Sequence, residues 1–244
     1  GARPFIMGNG TNLLIPDRGL DRLVIRTAGE MSDVRLTDET VIEADAGISL
    51  SRLALFAQSQ ALTGLEFAHG IPGSLGGAVF MNAGAYGGEM KQVVQEVIVL
   101  TEDGIRHIPG AECAFGYRKS AFSDGKTVIL GAKLHLKKGD PAQIRDKMAE
   151  LMAKRKASQP LEYPSAGSTF KRPEGYYAGT LIQETGLKGL TVGGAQVSEK
   201  HAGFVINTGG ATCADVMALI GQVQDRVMQR SGVHLEPEVR IIEN

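Results

Sequence analysis

The chain has no tryptophan, and aromatic residues make up only 5% of it. It has two cysteines, Cys113 and Cys213, far apart in sequence and each followed by alanine. That spacing excludes a cysteine-built metal site. Small apolar surroundings suit core or helix-face thiols in a reducing compartment. Neither charge sign dominates: Lys plus Arg is 26, Asp plus Glu is 27, and the formal net charge is −1. That balance argues against nucleic acid as the main partner, which calls for a basic face. No apolar run approaches the roughly 18 residues of a membrane span, and no signal-peptide pattern opens the chain. A cytoplasmic protein with no membrane partner is expected. His107, His135 and His234 stand alone, so no metal site is expected. No repeat of fixed period is visible.

What the chain has in excess is glycine. It holds 32 in 244 residues, about 13% against a usual ~7%. No collagen period or low-complexity tract accounts for them, which points to loops built from backbone. A hydrophobic content of 43% with 22% charged residues is ordinary for a globular protein, and the length allows one large domain or two of usual size.

Short strands are expected at Pro4–Met7, Leu13–Ile15 and Val24–Ile25, with a hairpin from Val34–Leu36 to Thr40–Ile42. Ser49 caps a helix whose apolar stripe is Leu50, Leu53, Ala54 and Ala57. Strand character continues through Val93–Leu100, Ile105–Ile108, Thr127–Leu130 and Lys133–Leu136. Asp140-Pro141 opens a helix with Ile144, Met148, Leu151 and Met152 inward, and Lys154-Arg155-Lys156 complements its negative end. The break at 158–164 is the candidate domain boundary. Thr212-x-x-Asp215 opens the clearest helix, carrying Val216, Leu219, Ile220, Val223 and Val227, and Ser231-Gly232 ends it. A last strand covers Val239–Ile242. The whole reads as α+β in two parts.

Two glycine loops carry the functional signal. Gly8-Asn9-Gly10-Thr11-Asn12 follows a strand, but G-x-G-x-x-G would need glycine where Leu13 stands. No Walker P-loop occurs either. What remains is a nest of N–H groups that suits phosphate oxygens, or else a tight turn with no ligand. The second loop runs from His69 to Gly88. Pro72-Gly73-Ser74 turns the chain, Ser74 caps a short helix from Leu75, and the bare Gly76-Gly77-Ala78 surface invites close approach. Two such loops favour a bound dinucleotide over two idle turns.

These residues resemble a known family. Gly8 to Leu14 is similar to the first FAD loop of the UDP-N-acetylenolpyruvoylglucosamine reductases, and Gly70 to Gly88 to their second. Phe115–Ser120, Ser165–Lys171, Gly194–Phe204 and Leu235–Arg240 resemble further family blocks, in family order. The short link after Phe170 matches the shorter, second class. The resemblance implies a further N-terminal subdomain ahead of the first loop, so this chain is expected to be a fragment or the sequence shown to omit that part.

The resemblance implies an NADPH- and FAD-dependent oxidoreductase acting on UDP-N-acetylglucosamine-enolpyruvate in peptidoglycan precursor synthesis. It implies an FAD-binding domain of the vanillyl-alcohol-oxidase type over 1–158, with 233–244 returning to it, and a smaller α+β substrate domain over 159–232. The expected FAD contacts are Gly8, Asn9, Gly10, Thr11, Asn12, Leu13, Ile71, Pro72, Gly73, Ser74, Gly76, Gly77, Asn82, Ala83 and Gly84. The expected substrate contacts are Tyr117, Lys171, Arg172, Gln196, His201, Asn207 and Arg240. His201 could equally be a structural hydrogen-bonder. A monomer is expected.

Three catalytic roles come with it. Hydride addition leaves negative charge spread into the substrate carboxylate, and Arg118 suits that clamp. Ser168 is the implied proton donor, with Ser165 as its decoy. Glu238 is the third residue, which must carry a proton or share a hydrogen bond beside such charge and so calls for a raised pKa. Glu236, two residues earlier, shares its alternation, and only the block match separates them. Two rivals stand beside this reading. One is a flavin oxidase tethering its ring through His69. The other is an inactive nucleotide-binding module.

Overall fold

A computed structural model describes residues 4–243. The chain divides into two compact units. The first contains Pro4–Gly10 and Val24–Arg155; the second contains Thr11–Leu23 and the chain from Lys156 onward.

The first unit is built on a five-stranded antiparallel sheet. Its order is Gly104–Pro109, Val94–Thr101, Val128–His135, Val41–Asp45 and Val34–Asp38. Alternate residues point to one face, so Ile42 and Ala44, Val97 and Val99, and Ala132 and Leu134 enter the core together. The two stretches read as separate strands around Gly131 are one strand with register shifts. Helix α1 (Leu50–Ser59) buries the four residues its spacing predicts, and Ser49 Oγ accepts the Arg52 N–H. Helix α2 (Leu75–Met81) follows the second glycine loop. Helix α3 (Pro141–Ser158) buries Ile144, Met148, Leu151 and Arg155. Arg155, expected only to complement the helix end with its charge, is buried, and its guanidinium carbon lies 5.6 Å from the centre of the Tyr86 ring. A small parallel pair, Phe5–Met7 with Val24–Arg26, completes the unit.

The second unit has its own core. A four-stranded antiparallel sheet runs Ser165–Ser168, Phe204–Asn207, Ala195–Val197, Thr191–Val192. Two helices pack their apolar residues into it, α4 (Ala178–Glu184) and α5 (Cys213–Ser231). Thr212 and Asp215 form the expected capping box, and Gly232 adopts φ 69° past the end of α5. Leu219, Val223 and Val227 are fully buried. Arg240–Ile241 pairs in parallel with Leu13–Leu14. Residues 233–244, expected to return to the N-terminal part, thus cluster with the C-terminal unit, and Thr11–Leu23 joins them there. That parallel pairing is the physical reason. No helix among the described residues is long and apolar enough to cross a membrane.

Candidate functional site

The second glycine loop is stitched to the end of a core strand. The Leu75 and Gly76 N–H groups donate to the Ile48 and Ala46 carbonyls at 2.9 and 2.8 Å. Two first-turn N–H groups of α2 are thereby engaged within the protein. Gly76 is bare for the same reason, since a Cβ there would lie 2.9 Å from the Ala46 Cβ. Gly77 is the exposed one, with no atom nearer than 3.8 Å to such a Cβ. The close approach expected of a ligand at Gly76 is therefore a protein contact, and Gly77 is the position left open.

Ser74 stands at the head of α2 but makes no side-chain cap bond, contrary to the expected capping. Its hydroxyl is buried and has no hydrogen-bond partner among the described residues. A Cβ on Gly8 would lie 2.2 Å from that oxygen. The two loops therefore meet at Gly8 and Ser74, with backbone against hydroxyl. A buried, unsatisfied hydroxyl costs about 1–3 kcal/mol, and a phosphate oxygen accepting from it would remove that cost. These residues fit an FAD diphosphate. Asn9 accepts from Arg26 Nη2 at 3.3 Å. Gly10 adopts φ 70° and lets the chain turn. Thr11, Asn12 and Leu13 belong to the second unit instead.

Beyond α2 the backbone is strained. Asn82, Tyr86 and Arg118 all have positive φ, at 43°, 53° and 55°. Asn82, expected as a cofactor contact, is fully buried, and its amide bonds to the protein. Arg118 sits in a tight turn closed by mutual bonds between Gly116 and Lys119. Its Nη2 donates to the Gly84 carbonyl at 3.3 Å, and its guanidinium lies 5.0 Å from the Tyr117 ring centre. Such strained non-glycine residues gather where a side chain must be aimed. Ala83 and Gly84 build the backbone leading into the Gly84–Ala85/Gly88–Glu89 hairpin. Ile71, Pro72 and Gly73 form the approach to Ser74, with Gly73 at φ 150°.

In the second unit, the end of strand Ser165–Ser168 and the segment carrying Glu238, which precedes strand Arg240–Ile241, are joined through Thr169 and Phe170. The Glu238 N–H donates to the Thr169 carbonyl at 2.8 Å, and Phe170 bridges Pro237. Ser168 is half-buried and its Oγ bonds the Phe170 carbonyl at 3.3 Å; Ser165 is exposed. Glu236 is also exposed and ion-paired with Lys171, whereas Glu238 is half-buried. Ser168 and Glu238 thus differ from Ser165 and Glu236 in burial. Asn12, expected at the first FAD loop, donates its side-chain amide to the Glu238 carbonyl at 3.1 Å and accepts the Arg240 N–H at 3.0 Å.

The expected substrate contacts are partly committed elsewhere. Lys171 pairs with Glu236, and Arg172 lies 4.0 Å above the Tyr177 ring. Asn207 accepts the Gly209 and Ala211 N–H groups at 2.9 and 3.1 Å, which makes it a loop brace. Gln196 donates to Thr191 Oγ1. His201 Nδ1 accepts the Gly203 N–H at 3.1 Å, and its ring meets Phe204 edge-on. Burial lowers its pKa, so the neutral ring is favoured. Burial also lowers the pKa of the half-buried Arg240 guanidinium. His69 is half-buried, and its Nδ1 is buried without a hydrogen-bond partner among the described residues. No group of three or more potential ligand side chains among the described residues could hold a metal ion.

The fold and these loops define an FAD-binding flavoprotein oxidoreductase. Residues 1–108 match the family described as FAD binding domain, and residues 159–242 match the C-terminal domain of UDP-N-acetylenolpyruvoylglucosamine reductase. The reductase of Caldanaerobacter subterraneus subsp. tengcongensis is 51% identical over 241 residues, covering 98% of this chain and 78% of that protein. That of Pediococcus pentosaceus is 52% identical over 238 residues, covering 97% and 79%. The solved structure of the Thermus caldophilus enzyme superposes with a TM-score of 0.88 at 38% identity, covering 98% and 85%. The chain belongs to the UDP-N-acetylenolpyruvoylglucosamine reductase family.

Proposed function

We propose that this chain reduces the enolpyruvyl double bond of UDP-N-acetylglucosamine-enolpyruvate with electrons from NADPH, giving UDP-N-acetylmuramate for peptidoglycan synthesis. Family membership carries the reading. FAD, held by the two glycine loops, would supply the two-electron chemistry that links NADPH to the enolpyruvyl double bond. The protein must bind, aim, and manage charge and one proton. The Ser74 hydroxyl and the Gly8 backbone hold the FAD diphosphate. Arg118 holds the substrate carboxylate, where negative charge collects as hydride arrives. The Ser168 hydroxyl gives its proton to the carbon next to that carboxylate. Glu238 shares a hydrogen bond at the same centre, with its backbone fixed by Asn12 and Thr169. The single observation supporting these roles is that Ser168 and Glu238 lie half-buried on segments joined through the Thr169 carbonyl, while Ser165 and Glu236 are exposed. The same reading places the protein in the cytoplasm as a monomer.

Ser168→Ala tests the assignment by stopped flow. Flavin reduction by NADPH should persist, within about threefold. Oxidation of the reduced enzyme by substrate should fall by about 100-fold or more, the usual weight of a positioned proton donor. Unchanged substrate reduction would remove Ser168 from the mechanism.

A further inference from the structure

The turn that carries Arg118 has no regular structure to hold it. Arg118 itself sits at φ 55°, a region that disfavours any residue with a Cβ. Something must oppose that strain. The bonds that do so come from the C-terminal end of α2. Asn82, the left-handed residue that ends α2, donates its side-chain amide to the Gly116 carbonyl at 3.0 Å, at the foot of the turn. The same amide donates to Glu89 Oε2 at 2.8 Å, and Asn82 Oδ1 accepts the Lys91 N–H at 2.9 Å. Both amide hydrogens and the amide oxygen are used, and the residue is fully buried. A second tie comes from the other side of the turn. Ser120 Oγ donates to the Phe80 carbonyl at 2.8 Å and accepts the Phe122 N–H at 3.3 Å. Gly116 and Ser120 flank the Tyr117-Arg118-Lys119 segment, so both of its ends are fastened to the last turn of one short helix.

That helix starts at Ser74, where the FAD diphosphate is read to bind. We propose that Asn82 is a positioning residue for Arg118, setting the guanidinium in register with the cofactor loop through the rigid span of α2. The inference rests on the reading of Arg118 as the carboxylate clamp. An asparagine suits the place twice over. It tolerates the left-handed backbone, and its amide offers two donors and one acceptor in one plane, all of which are used. No charged side chain could bond the Gly116 carbonyl, Glu89 and the Lys91 N–H together without leaving one unpaired.

Asn82→Gly isolates the side chain, because glycine keeps the left-handed backbone without strain. Misplacing a catalytic group by about 1 Å costs up to ~100-fold, so substrate reduction by the reduced enzyme should slow by about 10- to 100-fold. Flavin content and flavin reduction by NADPH should stay within about twofold. The deciding variant is Asn82→Gly in an Arg118→Ala background. If Asn82 acts through Arg118, the double variant is no slower than Arg118→Ala alone. Additive losses, an unchanged Asn82→Gly rate, or equal losses in both half-reactions would overturn the proposal. Ser120→Ala, a milder cut at the second tie, should slow the same step and also lose its effect in the Arg118→Ala background; it decides the matter should Asn82→Gly not fold. If Arg118→Ala leaves substrate reduction unchanged, the clamp reading itself fails, which is a different result from additivity.

Discussion

Gly8→Ala probes the point where the two cofactor loops meet. The new Cβ would lie 2.2 Å from the Ser74 hydroxyl oxygen, against an ordinary contact of 3.4 Å or more. About 1.2 Å must therefore be absorbed, and Ser74, at 2% exposure, has no room to swing into solvent. Overpacking of this kind costs about 1–3 kcal/mol. Expressed as weakened flavin affinity, that is about 5- to 150-fold. Ser74→Ala removes the opposing oxygen and with it a bond to a charged phosphate, a loss of about 1.5–3 kcal/mol. The two changes share one cause of conflict. The double variant should bind flavin no more weakly than Ser74→Ala alone, because the Ser74 Cβ sits at 3.4 Å from the added methyl. Titration of flavin-free protein by fluorescence quenching measures all four forms. Wild-type affinity in Gly8→Ala, or strictly additive losses in the double variant, would refute the contact between the loops.

Two further changes test other parts of the account. Gly76→Ala places a Cβ 2.9 Å from the Ala46 Cβ and 3.3 Å from the Ala46 carbonyl oxygen, so a thermal melt should show destabilisation of about 1–3 kcal/mol. A Gly76→Ala melt matching wild type would return Gly76 to the ligand's side. On the sheet surface, hydrogen bonds from His107 and Lys133 hold the Glu96 carboxyl below its usual pKa. A depressed folded-state pKa adds stability above the unfolded value, and the gain is lost as pH falls through the folded one. Urea melts of wild type and Glu96→Gln should therefore converge from neutral pH into the acid range below about 4.5. A gap that is independent of pH would contradict this.

Much of the fold was legible where one periodicity ruled. The stripe of α1, the capping box and glycine end of α5, and the 34–45 hairpin all follow from spacing and turn chemistry. The segment from 164 to 210 did not declare itself. Its strands are two to four residues long, set between glycines, and α4 has only seven residues, too short for a period to show. Arg155 reads as a surface charge in sequence because nothing local announces its burial. In the site, the motifs name stretches of chain but not what each side chain does there. Asn12, Asn82 and Asn207 read as ligand contacts, yet each makes bonds that fix neighbouring backbone. Amides serve both purposes equally well, and only their partners distinguish the two. Glycine misleads in the same way: Gly76 is bare to admit Ala46.

The central claim is that this chain couples NADPH oxidation to reduction of an enolpyruvyl ether. Its most direct test is to load the purified protein with FAD, mix it with NADPH and UDP-N-acetylglucosamine-enolpyruvate, and follow both NADPH absorbance and the sugar nucleotide by mass. The account predicts one UDP-N-acetylmuramate, two mass units heavier than the substrate, for each NADPH consumed, with little consumption when the substrate is left out. NADPH consumed with oxygen uptake and no change in the sugar nucleotide would contradict it.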